Sequence, residues 1–163
     1  MEDCHLCAHT PITRENTAAY LVSNKSQAEV PASLYKSRTL ITVEPPTDFK
    51  TDTRFTAKAR LNLTIAEATE FLNHKQAWRE FLVTKDTKCG AIFDSTDIDS
   101  EKRTRQIVSF DLPKDWDVLF ISATQYVLTR RAGSLLLNSC SQIHHPLTTY
   151  IKSIPFLKII YLK

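Results

Sequence analysis

The segment RFTAKARLNLTIAEATEFLNHKQAWREFLV, residues 54–83, changes its hydrophobic period part of the way along. From Arg54 to Leu63 polar and apolar side chains alternate, which is typical of a strand with one buried face. Thr64 and Glu67 then form an S/T-x-x-E capping box, in which each side chain satisfies a backbone donor at a helix start. Beyond it apolar residues recur every three or four positions as far as about Thr84, which indicates an amphipathic helix. The segment therefore predicts a strand followed by one long helix that covers a sheet.

Short apolar runs on either side predict the rest of the sheet. Residues 34–43 indicate an edge strand, because Pro45 and Pro46 follow and proline cannot donate to a strand ladder. Further strands are predicted at Cys89–Phe93, at 107–112 and at 117–131, the last as one long strand or a strand with a bulge. Residues 135–137 fit either another strand or the first turn of a helix, and residues 15–22 indicate a short helix.

These elements together predict the α+β class. We expect a mainly antiparallel sheet of about five to six strands, with one long amphipathic helix packed on one face. The chain has 163 residues, 42% of them hydrophobic, which suits one domain with its own core. We expect that domain to cover residues 34–163, and residues 1–33 to form an N-terminal segment whose order the sequence leaves open.

Composition excludes some classes of nucleotide-binding enzyme. The chain contains only two glycines, Gly90 and Gly133. Both the dinucleotide-binding G-x-G-x-x-G motif and the P-loop need closely spaced glycines that let the backbone approach phosphates. Neither motif is present, and no small-molecule cofactor is expected.

Basic residues supply the strongest functional signal. On the predicted strand, alternate positions are roughly 7 Å apart, close to the phosphate spacing of a single strand. After Asp117 the chain contains bases but no acid. We therefore predict nucleic-acid contacts at six residues: Lys50, Arg54, Lys58, Arg60, Arg130 and Arg131. No aromatic side chain interleaves with the strand residues, so base stacking there is not expected, and an ordinary solvated or protein-binding face is the simpler interpretation.

Cysteine and histidine spacing allows a zinc site. Cys4 and Cys7 form a C-x2-C pair, which is half of a tetrahedral site. Cys140 with His144, or with His145, could complete it and tie the N-terminus to the segment after the last core strand. The simpler interpretation is that the four cysteines are free thiols.

Three other sets of residues give weak support for metal binding or catalysis. Asp94, Asp97, Asp99 and Glu101 lack the register of a calcium-binding EF-hand loop and are expected to be solvated. A nuclease-like set can be assembled from Asp111, Asp117, Glu101 and Lys102, although nothing in their spacing selects it. Cys89 and His74 could form a nucleophile and base pair, but we expect His74 to pack beside Trp78 in the helix and Cys89 to fill apolar space.

The C-terminal segment, residues 151–163, combines apolar side chains with Lys152, Lys158 and Lys163. It is too short and too charged to span a bilayer. It could form a final strand on the core, pair with a protein partner or a second copy, or lie on an anionic membrane surface.

The function that we expect from the sequence is binding, and the protein is not expected to be an enzyme. The partner would be a polyanion, either a nucleic-acid backbone such as RNA or an anionic membrane surface, contacted by the basic strand face and the acid-free C-terminal region. A zinc-stabilised protein-interaction adaptor and a hydrolase or nuclease are the alternatives. No secretory signal is evident at Met1–His5, so we expect an intracellular protein, cytoplasmic or nuclear.

Overall fold

The computed structural model describes residues 11–22, 36–93, 112, 115–122 and 125–162. The strands of these residues are β1 Thr17–Val22, β2 Ser37–Ile41, β3 Cys89–Phe93, β4 Val118–Ser122, β5 Gln125–Thr129 and β6 Ile159–Tyr161. The α-helices are α1 Ala57–Asn62, α2 Ile65–Val83, α3 Arg130–Asn138 and α4 Leu147–Ser153. Short 3-10 helices occupy Arg14–Asn16 and Phe49–Thr51.

The architecture is α+β, and the strands of the described residues form a six-stranded mixed sheet. The strand order is β2-β1-β3-β5-β4-β6. Pairs β1–β2, β1–β3 and β4–β6 are parallel, whereas β3–β5 and β4–β5 are antiparallel. The prediction of a mainly antiparallel sheet was therefore wrong. The parallel pairs β1–β3 and β4–β6 join strands that lie far apart in the sequence.

The predicted basic strand at residues 54–63 is not a strand. Phe55 makes one isolated bridge and α1 follows, with the Thr56 side chain accepting a hydrogen bond from the Ala59 amide at its start. Phe55, Ala59 and Leu63 are the buried residues, at a spacing of four, while Leu61 is 86% exposed. Alternate positions therefore do not share a face, and no basic strand face exists here.

The helix α2 begins where the capping box predicts. The Thr64 side chain accepts from the Glu67 amide, and the Glu67 carboxylate accepts from the Thr64 amide. Phe71, Trp78 and Phe81 of α2 are fully buried against the sheet. The buried surface also includes the polar residues Asn73 and His74, so it is wider than the apolar stripe that we expected.

The remaining elements confirm some predictions and correct others. The edge strand is confirmed as β2, and the short strand is confirmed as Cys89–Phe93. Within residues 117–131, β4 and β5 form an antiparallel pair rather than one long strand, and Arg130 begins helix α3. Residues 135–137 belong to helix α3. The strand predicted at 107–112 lies outside the described residues, apart from Leu112.

The first strand, β1, lies within residues 1–33, which we expected to form a segment separate from the domain. The helix predicted at 15–22 is wrong, since these residues form β1 after a single 3-10 turn. All six residues of β1 are buried, and β1 pairs with β2 on one side and β3 on the other. Part of the 1–33 segment is thus integral to the sheet.

Both faces of the sheet are buried. On one face, side chains such as Tyr20, Ile92 and Leu128 share a core with all four α-helices. On the other, Leu21, Phe93 and Leu119 belong to a second apolar cluster. Strands with two buried faces read as continuous apolar runs, which matches β1 and β4.

Candidate polyanion-binding surface

A parallel bridge between Phe55 and Ile143 joins the two basic regions of the sequence. The Ile143 amide donates to the carbonyl of Arg54 over 2.9 Å, and the Thr56 amide donates to the carbonyl of Ile143 over 3.0 Å. The side-chain amide of Gln142 adds a hydrogen bond to the carbonyl of Thr53. We call this contact the 55–143 junction. It holds residues 53–56 alongside the acid-free C-terminal region.

Four bases were predicted as contacts on the strand or just before it, and two of them, Arg54 and Arg60, are used within the protein. Arg54 forms an ion pair with Asp52, Nη2 to Oδ2 over 2.7 Å, and its guanidinium lowers the pKa of that carboxyl. Arg60 donates from Nη1 to the carbonyls of Asp52 and Phe55, each over 3.0 Å. These contacts hold the turn that precedes α1, so neither guanidinium is fully available to a ligand.

The other two bases remain available. Lys50 lies in the 3-10 helix Phe49–Thr51 and Lys58 lies in α1, and both are exposed. Neither has a hydrogen-bond or ion-pair partner among the described residues. These two elements contact each other. Two exposed ammonium groups, with the exposed carboxylate of Asp48 two residues before Lys50, therefore lie on the segment that precedes and includes α1 and that the 55–143 junction joins to the C-terminal region.

Two histidines extend this surface on the C-terminal side. His144 and His145 directly follow Ile143, with their ring centroids 6.2 Å apart. His144 is exposed and His145 is half-buried. Imidazole N–H groups can donate to phosphate oxygens in either protonation state.

Arg130 and Arg131, also predicted as ligand contacts, make internal contacts. Arg130 donates to the carbonyls of Phe81, Leu82 and Thr84 at the end of α2 and to that of Thr87 beyond it, the shortest distances being 2.6 Å from Nη2 to Leu82 and 2.7 Å from Nη1 to Thr84. Arg131 pairs with the buried carboxylate of Asp117 over 2.6 Å. Arg130 therefore serves as a helix cap, and Arg131 balances a buried charge.

The acid-free C-terminal region also places a cation next to an exposed aromatic ring. Lys152 of α4 holds its Nζ 5.6 Å from the ring centroid of Tyr161, at the end of β6. Tyr161 is 51% exposed, and Phe156, in the turn before β6, is 72% exposed. No sequence motif marks Tyr161. The available signal was an aromatic residue in a segment whose charged residues are all lysines.

The residues predicted for zinc are only partly described. Cys4 and Cys7 lie outside the described residues. Cys140 is buried in the core beside the helices, and burial raises the pKa of its thiol, whereas zinc binds the thiolate. His144 is exposed. Within the described part of the chain no group of three or more His, Cys, Asp or Glu side chains is placed to hold a metal ion, and the zinc site stays a prediction.

The described residues do not bring together any of the other sets that we considered for metal binding or catalysis. Asp94, Asp97, Asp99, Glu101, Lys102 and Asp111 all lie outside them. Asp117 is buried and accepts hydrogen bonds from Arg131 and from the Lys158 amide, which are structural contacts. Cys89 belongs to the core on the far face of the sheet, and burial raises its pKa to about 12. His74 contacts Tyr126 on the helical face.

Comparison with protein-family models, with curated proteins and with solved structures found no match. Among the described residues, no helix has both the length and the apolar character needed to cross a membrane.

Proposed function

We propose that this protein is a non-enzymatic binding protein that contacts the phosphate groups of a nucleic-acid backbone. The proposal rests on the exposed ammonium groups of Lys50 and Lys58, which belong to the segment that the 55–143 junction joins to the acid-free C-terminal region. Lysine is a point charge on a flexible stem and binds phosphate without demanding one geometry. Such contacts position a backbone but carry no sequence information.

The charge around the junction favours a polyanion over a single anion. Asp52 is compensated by Arg54, and no acid occurs between Val118 and Lys163. A repeated phosphate chain can engage several separate cations at once and release its condensed counterions. One isolated phosphate would gain little from two exposed lysines, because exposed ion pairs contribute about 0 to 1 kcal/mol each.

Binding of fluorescein-labelled DNA and RNA oligonucleotides across a salt series tests the proposal. The matched variants are the double substitutions Lys50→Gln with Lys58→Gln, and Lys85→Gln with Lys88→Gln. Lys85 and Lys88 are also exposed, so both pairs change the net charge equally. We expect the affinity to fall as the salt concentration rises. For single-stranded oligonucleotides, the slope of log K against log salt should become shallower by about 1.4 in the 50/58 variant and should stay unchanged in the 85/88 variant.

Two results would count against the proposal. The first is an absence of binding by the wild-type protein even at low salt. The second is an equal loss in both double variants, which would mean that only net charge matters and that the junction is not a binding surface.

A further inference from the structure

The ring of Tyr161 is held in a fixed orientation although half of it is exposed. It stacks on the ring of Phe120 with centroids 5.7 Å apart and an angle of 16° between the planes. Phe120 is buried in β4, and Tyr161 is register-paired with it across the parallel β4–β6 ladder. The backbone and a buried ring therefore orient Tyr161, so a planar ligand would find the exposed surface already ordered.

A cation accompanies the ring. The Lys152 ammonium lies 5.6 Å from the Tyr161 centroid, within the range of a cation–π contact. The two nearest acidic residues in the sequence, Asp115 and Asp117, are compensated by Lys158 and Arg131 respectively. The Lys152 side chain is exposed and has a flexible four-carbon stem. Its ammonium can therefore leave the ring and contact a nearby phosphate at little cost.

An aromatic platform beside a lysine is the arrangement that single-stranded nucleic acids require. Every base has a π-face, and stacking on an aromatic side chain tolerates any sequence. In a duplex the base faces are occupied by neighbouring pairs, so they are not open to a protein ring.

The alternative partner for such a segment, an anionic membrane, needs more apolar surface than is exposed here. Interfacial binding scales with buried apolar area. In the described part of the C-terminal segment, the large hydrophobic residues that are exposed are Phe156 and Tyr161, whereas Ile151 and Leu157 are packed in the core.

We propose that the polyanion is a single-stranded nucleic acid, with one base stacked on Tyr161 and the adjoining phosphate contacted by Lys152. This inference rests on the proposed function, because the same strand would reach the 55–143 junction. Helix α4 begins four residues after Ile143 and has seven residues, about 10 Å at the rise of an α-helix. Lys152 near the end of α4 contacts Tyr161, so the proposal requires one short oligonucleotide to span the length of this helix.

The test compares two labelled ten-mers with the same phosphates, oligothymidine and an abasic analogue that lacks every base. We expect oligothymidine to bind wild-type protein more tightly than the abasic strand. Tyr161→Ala should weaken oligothymidine binding about 5- to 100-fold, by the usual effect of removing one stacking partner, and should leave abasic binding unchanged. Tyr161→Phe should retain binding, because the ring supplies the stacking surface.

Two controls separate stacking from folding and from general loss of apolar surface. Leu61→Ala removes an exposed hydrophobic side chain from α1 and should not affect the ratio of the two affinities. Tyr161→Trp should bind oligothymidine with at least wild-type affinity, and its added fluorescence should be quenched by oligothymidine but not by the abasic strand.

The outcomes distinguish the two proposals. Equal affinity for both ten-mers, unaffected by Tyr161→Ala, would leave phosphate binding intact and overturn base stacking. Binding of neither strand would overturn both. A third outcome is that neither ten-mer binds, that the wild-type protein binds phosphatidylserine-containing vesicles, and that Tyr161→Ala weakens this vesicle binding. The surface would then be a membrane contact, and both proposals would be wrong.

Discussion

Trp78 donates a hydrogen bond from Nε1 to the hydroxyl oxygen of Tyr126 over 3.0 Å, which ties α2 to the central strand β5. The same hydroxyl lies 2.7 Å from Nδ1 of His74. An indole N–H can only donate, so the hydroxyl oxygen accepts from Trp78, and the tautomer of His74 decides whether the hydroxyl donates to Nδ1 or accepts from it. All three side chains are fully buried.

Removing the Tyr126 hydroxyl should be costly, since two buried polar atoms would lose their partner together. For Tyr126→Phe we expect the free energy of unfolding to fall by about 2 to 4 kcal/mol, from the usual cost of leaving buried groups unsatisfied. Urea denaturation at pH 7 measures it. Tyr161→Phe, which removes a hydroxyl from an exposed ring, is the matched control and should change stability little. A Tyr126→Phe protein as stable as this control would show that the buried hydrogen bonds contribute nothing.

Burial of His74 should make the protein less stable in mild acid. Desolvation lowers the pKa of His74 to about 3, well below the ordinary value near 6.5 of an unfolded chain. Between these values the unfolded state takes up a proton that the folded state excludes. The stabilisation is therefore complete above about pH 6.5 and declines as the pH falls toward 3. From pH 6.5 to pH 5 the loss should be about 1.6 kcal/mol.

This pH dependence can be assigned by substitution. Above pH 5 carboxylates with ordinary pKa values stay ionised, so they contribute little to the change. In His74→Gln the decline between pH 6.5 and pH 5 should largely disappear, whatever the variant's stability at pH 7. An equal decline in wild type and variant would place the titrating group elsewhere.

Helix α1 shows why the most regular pattern in the sequence gave the wrong element. Phe55, Ala59 and Leu63 fit a strand at alternate positions, but they fit one helical face equally well at a spacing of four. Local chemistry favoured the helix, because Ala, Lys, Arg and Leu are strong helix formers and Thr56 supplies an N-cap. The capping box at Thr64 was predicted correctly because every contact in it lies within four residues. The parallel pairings could not be predicted, since they depend on which distant strands meet.

The candidate site shows a similar division between local and distant information. The sequence identifies the cations, but it does not tell which of them the fold uses. Arg130 and Arg131 are neighbours with the same side chain, yet one caps α2 and the other pairs with Asp117. Arg54 pairs with Asp52, whereas Lys50 and Lys58 on the same segment are exposed. The 55–143 junction joins residues that are 88 positions apart, and no local sequence pattern predicts it.

Arg130 should matter for stability rather than for ligand binding. Its guanidinium satisfies four carbonyls near the C-terminus of α2 and lies 5.2 Å from the Phe81 centroid. A cation is also favourable at the negative end of a helix dipole. We expect Arg130→Met to lower the free energy of unfolding by about 2 to 4 kcal/mol, because charged hydrogen bonds are lost and carbonyls are left unpaired. Thermal and urea unfolding measure the effect.

The control for Arg130 is an exposed arginine of α2. Arg79→Met removes one long hydrogen bond, from Arg79 Nη1 to the side-chain oxygen of Gln76 over 3.4 Å, on the exposed surface of the helix. Its cost should be clearly smaller. If Arg130→Met instead weakens oligonucleotide binding while leaving stability unchanged, the original assignment of Arg130 to the ligand is right and its capping role is not.

The two glycines of the chain both pack against the ring of Phe81. A Cβ added at Gly90 would lie 2.9 Å from Phe81 Cγ, and one added at Gly133 would lie 3.2 Å from Cδ2. The ring is fully buried, and Tyr20 packs edge-on at 6.2 Å, so Phe81 has little room to move. We expect Gly90→Ala to destabilise the protein by about 1 to 3 kcal/mol through overpacking. Gly133→Ala should cost less, because alanine is favoured over glycine in a helix by about 1 kcal/mol.

A double-mutant cycle separates this steric effect from a change in strand propensity. Phe81→Leu removes the ring that an added methyl group at position 90 would meet, at a cost of its own. If the ring is the cause, Gly90→Ala should cost much less in the Phe81→Leu background than in the wild type, giving a coupling energy of about 1 kcal/mol or more. Equal costs in the two backgrounds would mean that Phe81 does not select glycine at position 90. The free energies come from urea unfolding of the four proteins under one set of conditions.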